Sequence, residues 1–280
     1  TWQSGLYPAD EPVAVTAGLI WFTLGSPTAS RRWMAAHSLR TAVALGRPDI
    51  LDQVFAQFNW THAGAFQAQE LPFFYLHARL WLLIAIARIA QDHPHVVAKH
   101  RALLENILYD TTDRHVLFKH FAAEALRTCA LHGQFVQDEA SAKALNAVNV
   151  SPFKELISKR YGHDSFYQSR PEKYPPPTHE VHLDYDFDKH EVSGLTDLFG
   201  RERWETLDAI GAWVHMHDPN ILYMSDLGGR YDHRRGRGGH GDEQHSYGEY
   251  LCWHALHVVA GDFLAKYPIV RRPYDEDSPW

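Results

Sequence analysis

The sequence predicts a mainly α-helical fold, a stack of about three helical hairpins followed by a smaller, mostly helical domain with an extended arm. Three observations carry the prediction. Ala35-Ala36-His37-Ser38-Leu39-Arg40-Thr41 returns as Ala122-Ala123-Glu124-Ala125-Leu126-Arg127-Thr128, identical at five of seven positions and offset by 87 residues. Both blocks run to a glycine at the same distance, Gly46 and Gly133. Half the offset, about 43 residues, lands on Ala78 to Ile89, the most apolar helical stretch of the chain.

The elements follow in order. Pro12 to Leu24 supplies a first helix, the second half of a truncated unit. The block at Arg32–Gly46 is the first helix of a hairpin, and Pro48 opens its partner, Asp49 to Phe58. Proline suits a helix's first turn, where its missing N–H costs nothing. In the middle unit Tyr75, Ala78, Leu82, Leu83 and Ile86 form one apolar stripe, and Pro94 precedes a second helix, His95 to Tyr109. In the third unit Phe118, Phe121, Ala122, Ala125, Leu126 and Cys129 repeat that stripe, and Asp138 is the N-cap of a partner reaching Val148. Gly46 and Gly133 read as C-terminal caps, where a left-handed residue ends a helix at least cost.

A unit of about 43 residues lies within the roughly 40–47 of HEAT and armadillo units. The segment around residues 12–150 resembles the HEAT-repeat family in its Arg32-Trp33-Met34-Ala35-Ala36 and Leu39-Arg40 pattern after Ser26-Pro27. The middle unit departs from it, with Arg79 in place of the second alanine and Ile89 near the expected glycine. The resemblance implies an α-solenoid, a curved surface that binds protein or nucleic acid and has no chemistry of its own.

After Asn149 the character changes. Ser151-Pro152 is expected to start a short helix to about Arg160. Residues 161–178 are a Pro/Tyr-rich linker ending in Pro175-Pro176-Pro177, so the expected division is 1–160 for the repeats and 179–280 for a C-terminal domain. Val181 to Phe187 alternates apolar and polar residues, which predicts a strand or extended arm. Helices are expected from Asp188 to Gly200, from Glu202 to Val214 and from Tyr247 to Tyr267, with an irregular glycine-rich stretch before the last.

Composition narrows the function. The 280 residues are 45% hydrophobic with a net charge of −7, which fits a globular protein and disfavours wholesale nucleic-acid binding. Cys129 and Cys252 fall inside apolar helical patterns and read as buried thiols of a reducing cytoplasm. No signal peptide opens the chain, and the apolar run Leu80 to Ala87 is far short of the ~20 residues a membrane helix needs, so the expected location is cytoplasmic with no membrane contact. A start at Thr1 and an end at Trp280 are read as the bounds of a segment from a larger protein.

Histidines number 20, and several gather after residue 178. His182, Asp184, Asp186 and Asp188 share one face of the expected strand, either as ligands for a hard divalent cation or as its solvent face. His240, Asp242, His245, His254 and His257 are metal-ligand candidates, with His215, His217 and Asp218 as possible partners; His254 and His257 are three apart on a helix and can converge on zinc or another divalent metal. Core imidazoles bonded to backbone carbonyls are the simpler reading, and no cofactor is expected. Arg230, Arg234, Arg235 and Arg237 among glycines are candidates for binding an anion, nucleic acid included, although Asp226, Asp232, Asp242 and Glu243 offset their charge. No phosphate-binding G-x-x-x-x-G-K-[ST] loop or G-x-S-x-G elbow is present. Gly194 to Trp213 can be read as a helix-turn-helix.

Asp184-Tyr185-Asp186-Phe187-Asp188-Lys189, with Tyr250 to Leu256 and Val258-Val259-Ala260-Gly261, resembles the C-terminal region of large bacterial STAND-class NTPases with helical-repeat sensors. That resemblance implies a part in defence against phage, with the NTPase domain outside these residues. The expected function is therefore a recognition or scaffold module whose partner is a protein or the remainder of its parent chain. The alternative is a metal-dependent hydrolase or nuclease built on the C-terminal histidines.

Overall fold

A computed structural model describes residues 11–68, 71–157, 170–172, 174, 176–226 and 244–271. The fold is mainly helical, with eleven α-helices and two short strands among the described residues. Its contacts separate into two compact units that are not consecutive in sequence. One takes the described residues within Thr1–Asp110, Leu117–Val148 and Leu227–Tyr250; the other takes those within Thr111–Val116, Asn149–Asp226 and Leu251–Trp280.

The first unit holds α1 (Pro12–Leu24), α2 (Ala29–Ala44), α3 (Pro48–Ala56), α4 (Tyr75–Asp92), α5 (Pro94–Ala98), α6 (Arg101–Tyr109), α7 (Val116–Leu131) and α8 (Glu139–Asn146). Proline stands at the start of α1, α3 and α5, and the Asp138 carboxylate accepts the Ser141 N–H at 2.7 Å to cap α8. Gly46 and Gly133 both have positive φ, +78° and +68°. Around each, two bonds close the helix end: Gly46 N–H to Val43 and Arg47 N–H to Ala42, then Gly133 N–H to Ala130 and Gln134 N–H to Cys129. Both ends are thus Schellman closures.

Apolar residues of these helices form the core. Trp21, Leu24, Leu39, Leu51, Leu82, Leu83, Ile86 and Ile89 are fully buried, each contributing about 1.5–3 kcal/mol. The helix α1 packs on α2, α3 and α4, while α2 packs on both α3 and α4. Cys129 is buried and free, and burial pushes its thiol up to about 11. The expected helix from His95 to Tyr109 is broken into α5 and α6. His100, at the break, stacks on Phe55 with ring centroids 3.8 Å apart and reaches Asp52 at 2.7 Å, a tertiary hold that local propensity does not register.

The second unit corrects two expectations. Ser151-Pro152 starts no helix: Ser151 Oγ accepts the Phe153 N–H, and the chain runs to strand β1 (Leu156–Ile157), paired in parallel with β2 (Val270–Arg271). The alternating run 181–187 forms no strand beyond one bridge, His182 to Tyr223. It enters a π-helix, Phe187–Val192, that continues into α9 (Ser193–Leu198). Phe187 and Val192, five apart, are both buried, which is the spacing a π turn aligns. An ion pair from Arg203 to Asp188 ties this turn to α10 (Arg203–His217). Between α9 and α10, Gly200 at φ +57° closes a third Schellman end, with Gly200 N–H to Asp197 and Arg201 N–H to Thr196. A buried Thr206–Thr196 hydroxyl bond of 2.9 Å joins the two helices. No helix among the described residues is long and apolar enough to cross a membrane.

Candidate functional site

The last helix, α11 (Tyr247–Lys266), begins in the first unit and continues in the second, and each unit builds a histidine pair on it or beside it. In the second unit the segment 111–116 lies directly on α11. Gly261 permits this: a Cβ there would stand 1.8 Å from the Arg114 carbonyl oxygen, so only glycine leaves room for that backbone. The next residue, His115, is thereby set against the buried face of the helix.

His115 is 1% exposed and His254 2% exposed, and His115 Nε2 faces His254 Nδ1 at 2.8 Å. One proton lies between these nitrogens, so one imidazole donates and the other accepts. His257 lies nearly parallel to His115, 18° between planes and 5.2 Å between centroids. Its Nδ1–H donates to the Trp253 carbonyl at 2.6 Å, which places the neutral ring's lone pair on Nε2. Trp253 meets Phe187 edge-on at 5.0 Å, so the π-helical turn closes one side of the cluster.

Burial holds His115 well below the ordinary histidine range, and the neighbouring His257 lowers it further. Burial also lowers His257, against the opposing pull of the Trp253 carbonyl and Glu191. At neutral pH both rings are uncharged. The cluster can fasten the 111–116 segment to α11 through the His115–His254 bond, and burial makes His115 and His257 resist protonation. A second pair in this unit joins His179 Nδ1 to His215 Nδ1 at 3.2 Å, and His215 Nε2–H donates to the Ile221 carbonyl.

In the first unit His77 Nε2 lies 3.2 Å from His245 Nδ1, with the Tyr250 ring edge-on to His77 at 4.8 Å. The buried Tyr250 hydroxyl accepts the Leu76 N–H at 3.0 Å and so caps the first turn of α4. Burial raises the Tyr250 phenol well above its ordinary range. Ser246 and Glu249 close a capping box at the start of α11: Ser246 N–H donates to Glu249, and Glu249 N–H donates to the Ser246 hydroxyl.

The helical spacing predicts His254 and His257 near one another, and the structure brings His115 to both. His245 pairs with His77 in the first unit. The remaining candidates, Arg230, Arg234, Arg235, Arg237, His240 and Asp242, lie outside the described residues. On the expected strand, His182 stacks on Tyr223 and Asp188 pairs with Arg203; with the segment turned helical, the alternating face does not form. Among the described residues no group of three or more His, Cys, Asp or Glu is placed to hold a metal ion. His77 and His115 escaped sequence reasoning because their partners stand 168 and 139 residues away. The spacing Ser246-x-x-Glu249, by contrast, was readable as a helix start.

Compared with known proteins, the chain matches no family model, no curated protein and no solved structure.

Proposed function

We propose that this chain is a recognition and scaffold module without catalytic activity, a part of a larger cytoplasmic bacterial protein, whose HEAT-like helical stack binds a protein or other macromolecule. The packing of like helices carries this reading: α2 lies on α4, the first helices of successive hairpins, and α1 lies on α3. Hairpins arranged in this way bury one face against their neighbours and leave another for a partner. The shared Ala-Ala/Leu-Arg-Thr block and the matched closures at Gly46 and Gly133 support a common unit. The resemblance of 184–189 and 250–261 to STAND-class NTPases extends the proposal to a sensor role in phage defence. The test is retention of a defined macromolecular partner by the immobilised chain, alongside assays for turnover. A partner without turnover is the expected result; turnover by the isolated chain with no partner contradicts it.

The gathering of His254 and His257 about His115 keeps a second reading in view, a metal-dependent hydrolase or nuclease using zinc or another divalent metal. Elemental analysis of untagged protein separates the two, because absence of stoichiometric Zn, Mn or Ni removes the second.

A further inference from the structure

The helices α2 and α4 carry five arginines, Arg31, Arg32, Arg40, Arg79 and Arg88, against one carboxylate, Asp92. The chain as a whole has the opposite balance, 34 acidic residues to 27 Lys and Arg. Arg32 is buried on the Ser26 and Pro27 carbonyls, Arg79 is bonded to the Phe58 and Asn59 carbonyls and Arg40 is paired with Asp92, so among the described residues the guanidinium groups left unbonded on these two packed helices are those of Arg31 and Arg88.

Aromatic side chains organise this charge. Trp33 of α2 meets Trp81 of α4 edge-on at 5.6 Å, and His37 stands edge-on to Trp33 at 4.7 Å. The Arg88 guanidinium lies over the Trp33 ring, 4.2 Å from its centroid. Other arginines stacked on rings have bonds of their own: Arg79 to the Phe58 and Asn59 carbonyls, Arg101 to Glu105, Arg170 to Asp208, Arg201 to Glu205 and Arg32 to the Ser26 and Pro27 carbonyls. Arg88 has no hydrogen-bond partner among the described residues. A guanidinium stacked on a ring is held flat with its N–H edges outward, ready for two parallel bonds to a carboxylate. The Trp33 ring that carries it is 39% exposed, an apolar margin next to the unspent donors.

We propose that the α2–α4 face docks an acidic peptide segment of a protein partner. Arg88, backed by Trp33, takes a carboxylate, and the exposed edge of Trp33 receives a neighbouring apolar side chain. The inference rests on the recognition reading above and names its partner's chemistry. Nucleic acid fits this face less well. Arg88 covers a face of Trp33 on which a base would stack, and Asp92 already engages Arg40, leaving few cations for successive phosphates.

The test is fluorescence anisotropy on the full chain with three labelled probes: a glutamate-rich peptide with one central leucine, its lysine counterpart, and a single-stranded oligothymidylate. The acidic peptide is expected to bind tightest, with affinity falling as salt rises. Arg88→Gln is expected to weaken it roughly tenfold or more, the scale of a lost charged hydrogen bond. Arg101→Gln, at an arginine already paired, is expected to leave it unchanged. Thermal melts confirm that both variants are folded. Equal affinity of Arg88→Gln and the unaltered chain overturns the proposal, as does tighter binding of the lysine peptide or the oligothymidylate. If the immobilised chain keeps a macromolecular partner while Arg88→Gln changes nothing, the recognition reading stands and this face is wrong.

Discussion

Glycines do different work in the two units. In the first, Gly18 and Gly25 make room for phenylalanine rings: a Cβ would lie 2.7 Å from Phe66 and 2.3 Å from Phe73. In the second, Gly211 and Gly261 make room for main chain, with a Cβ at 2.1 Å from the His179 carbonyl oxygen and 1.8 Å from that of Arg114. A ring turns or shifts when crowded, but a carbonyl moves only with its segment. At these positions the first unit seats side chains against a helix, and the second lays segments of backbone across one. A glycine inside α10 or α11 costs about 1 kcal/mol in helix propensity, and the close crossing offsets that cost.

Alanine substitutions expose the difference most strongly. Gly261→Ala and Gly211→Ala are each expected to destabilise the protein by about 3 kcal/mol, at the top of the usual range for overpacking. Gly18→Ala is expected to cost only about 1 kcal/mol, because the Phe66 ring can yield. Denaturant unfolding of the three variants measures the contrast, and equal losses would remove it.

A smaller effect comes from pH. His115 and His257 have folded-state values below the ordinary 6.5, so the unfolded chain binds more protons once the pH falls beneath that value. Their contribution is fully present above about pH 6.5 and is lost progressively as the pH drops. The slope approaches about 1.4 kcal/mol per pH unit for a fully shifted group. Melting between pH 7 and 5 should show this decline, and His115→Gln should flatten it. A His115→Gln protein with an unchanged slope would place the titration elsewhere.

The smallest effect belongs to the helix ends of the repeat. Gly46→Ala and Gly133→Ala meet no atom within 4 Å, so the whole cost is left-handed backbone, about 1 kcal/mol each. Similar losses in thermal unfolding are expected at the two sites, since both are closed by the same pair of bonds. A marked inequality would argue against a shared unit.

What the sequence reveals follows from how local each feature is. Pro12, Pro48 and Pro94 mark helix starts, and Gly46, Gly133 and Gly200 mark ends, because the signal lies within one turn of the event. The long helix α11 was readable from its apolar residues alone. The π turn at Phe187–Val192 was not, since seven alternating residues look extended until Asp188 is drawn to Arg203. The pairing of Leu156–Ile157 with Val270–Arg271 joins strands of two residues each, too short to carry a pattern. For the candidate site the helical spacing of His254 and His257 was legible. The partner that meets both was not, because Gly261 reveals its purpose only when the Arg114 carbonyl lies against it.

Hydrogen exchange on the full chain, with and without the acidic peptide, tests the recognition account most directly. Slowed exchange confined to residues 29–44 and 75–92, with 193–217 and 247–266 unchanged, is the predicted result. Protection centred on α10 or α11, with α2 and α4 unaffected, would contradict it.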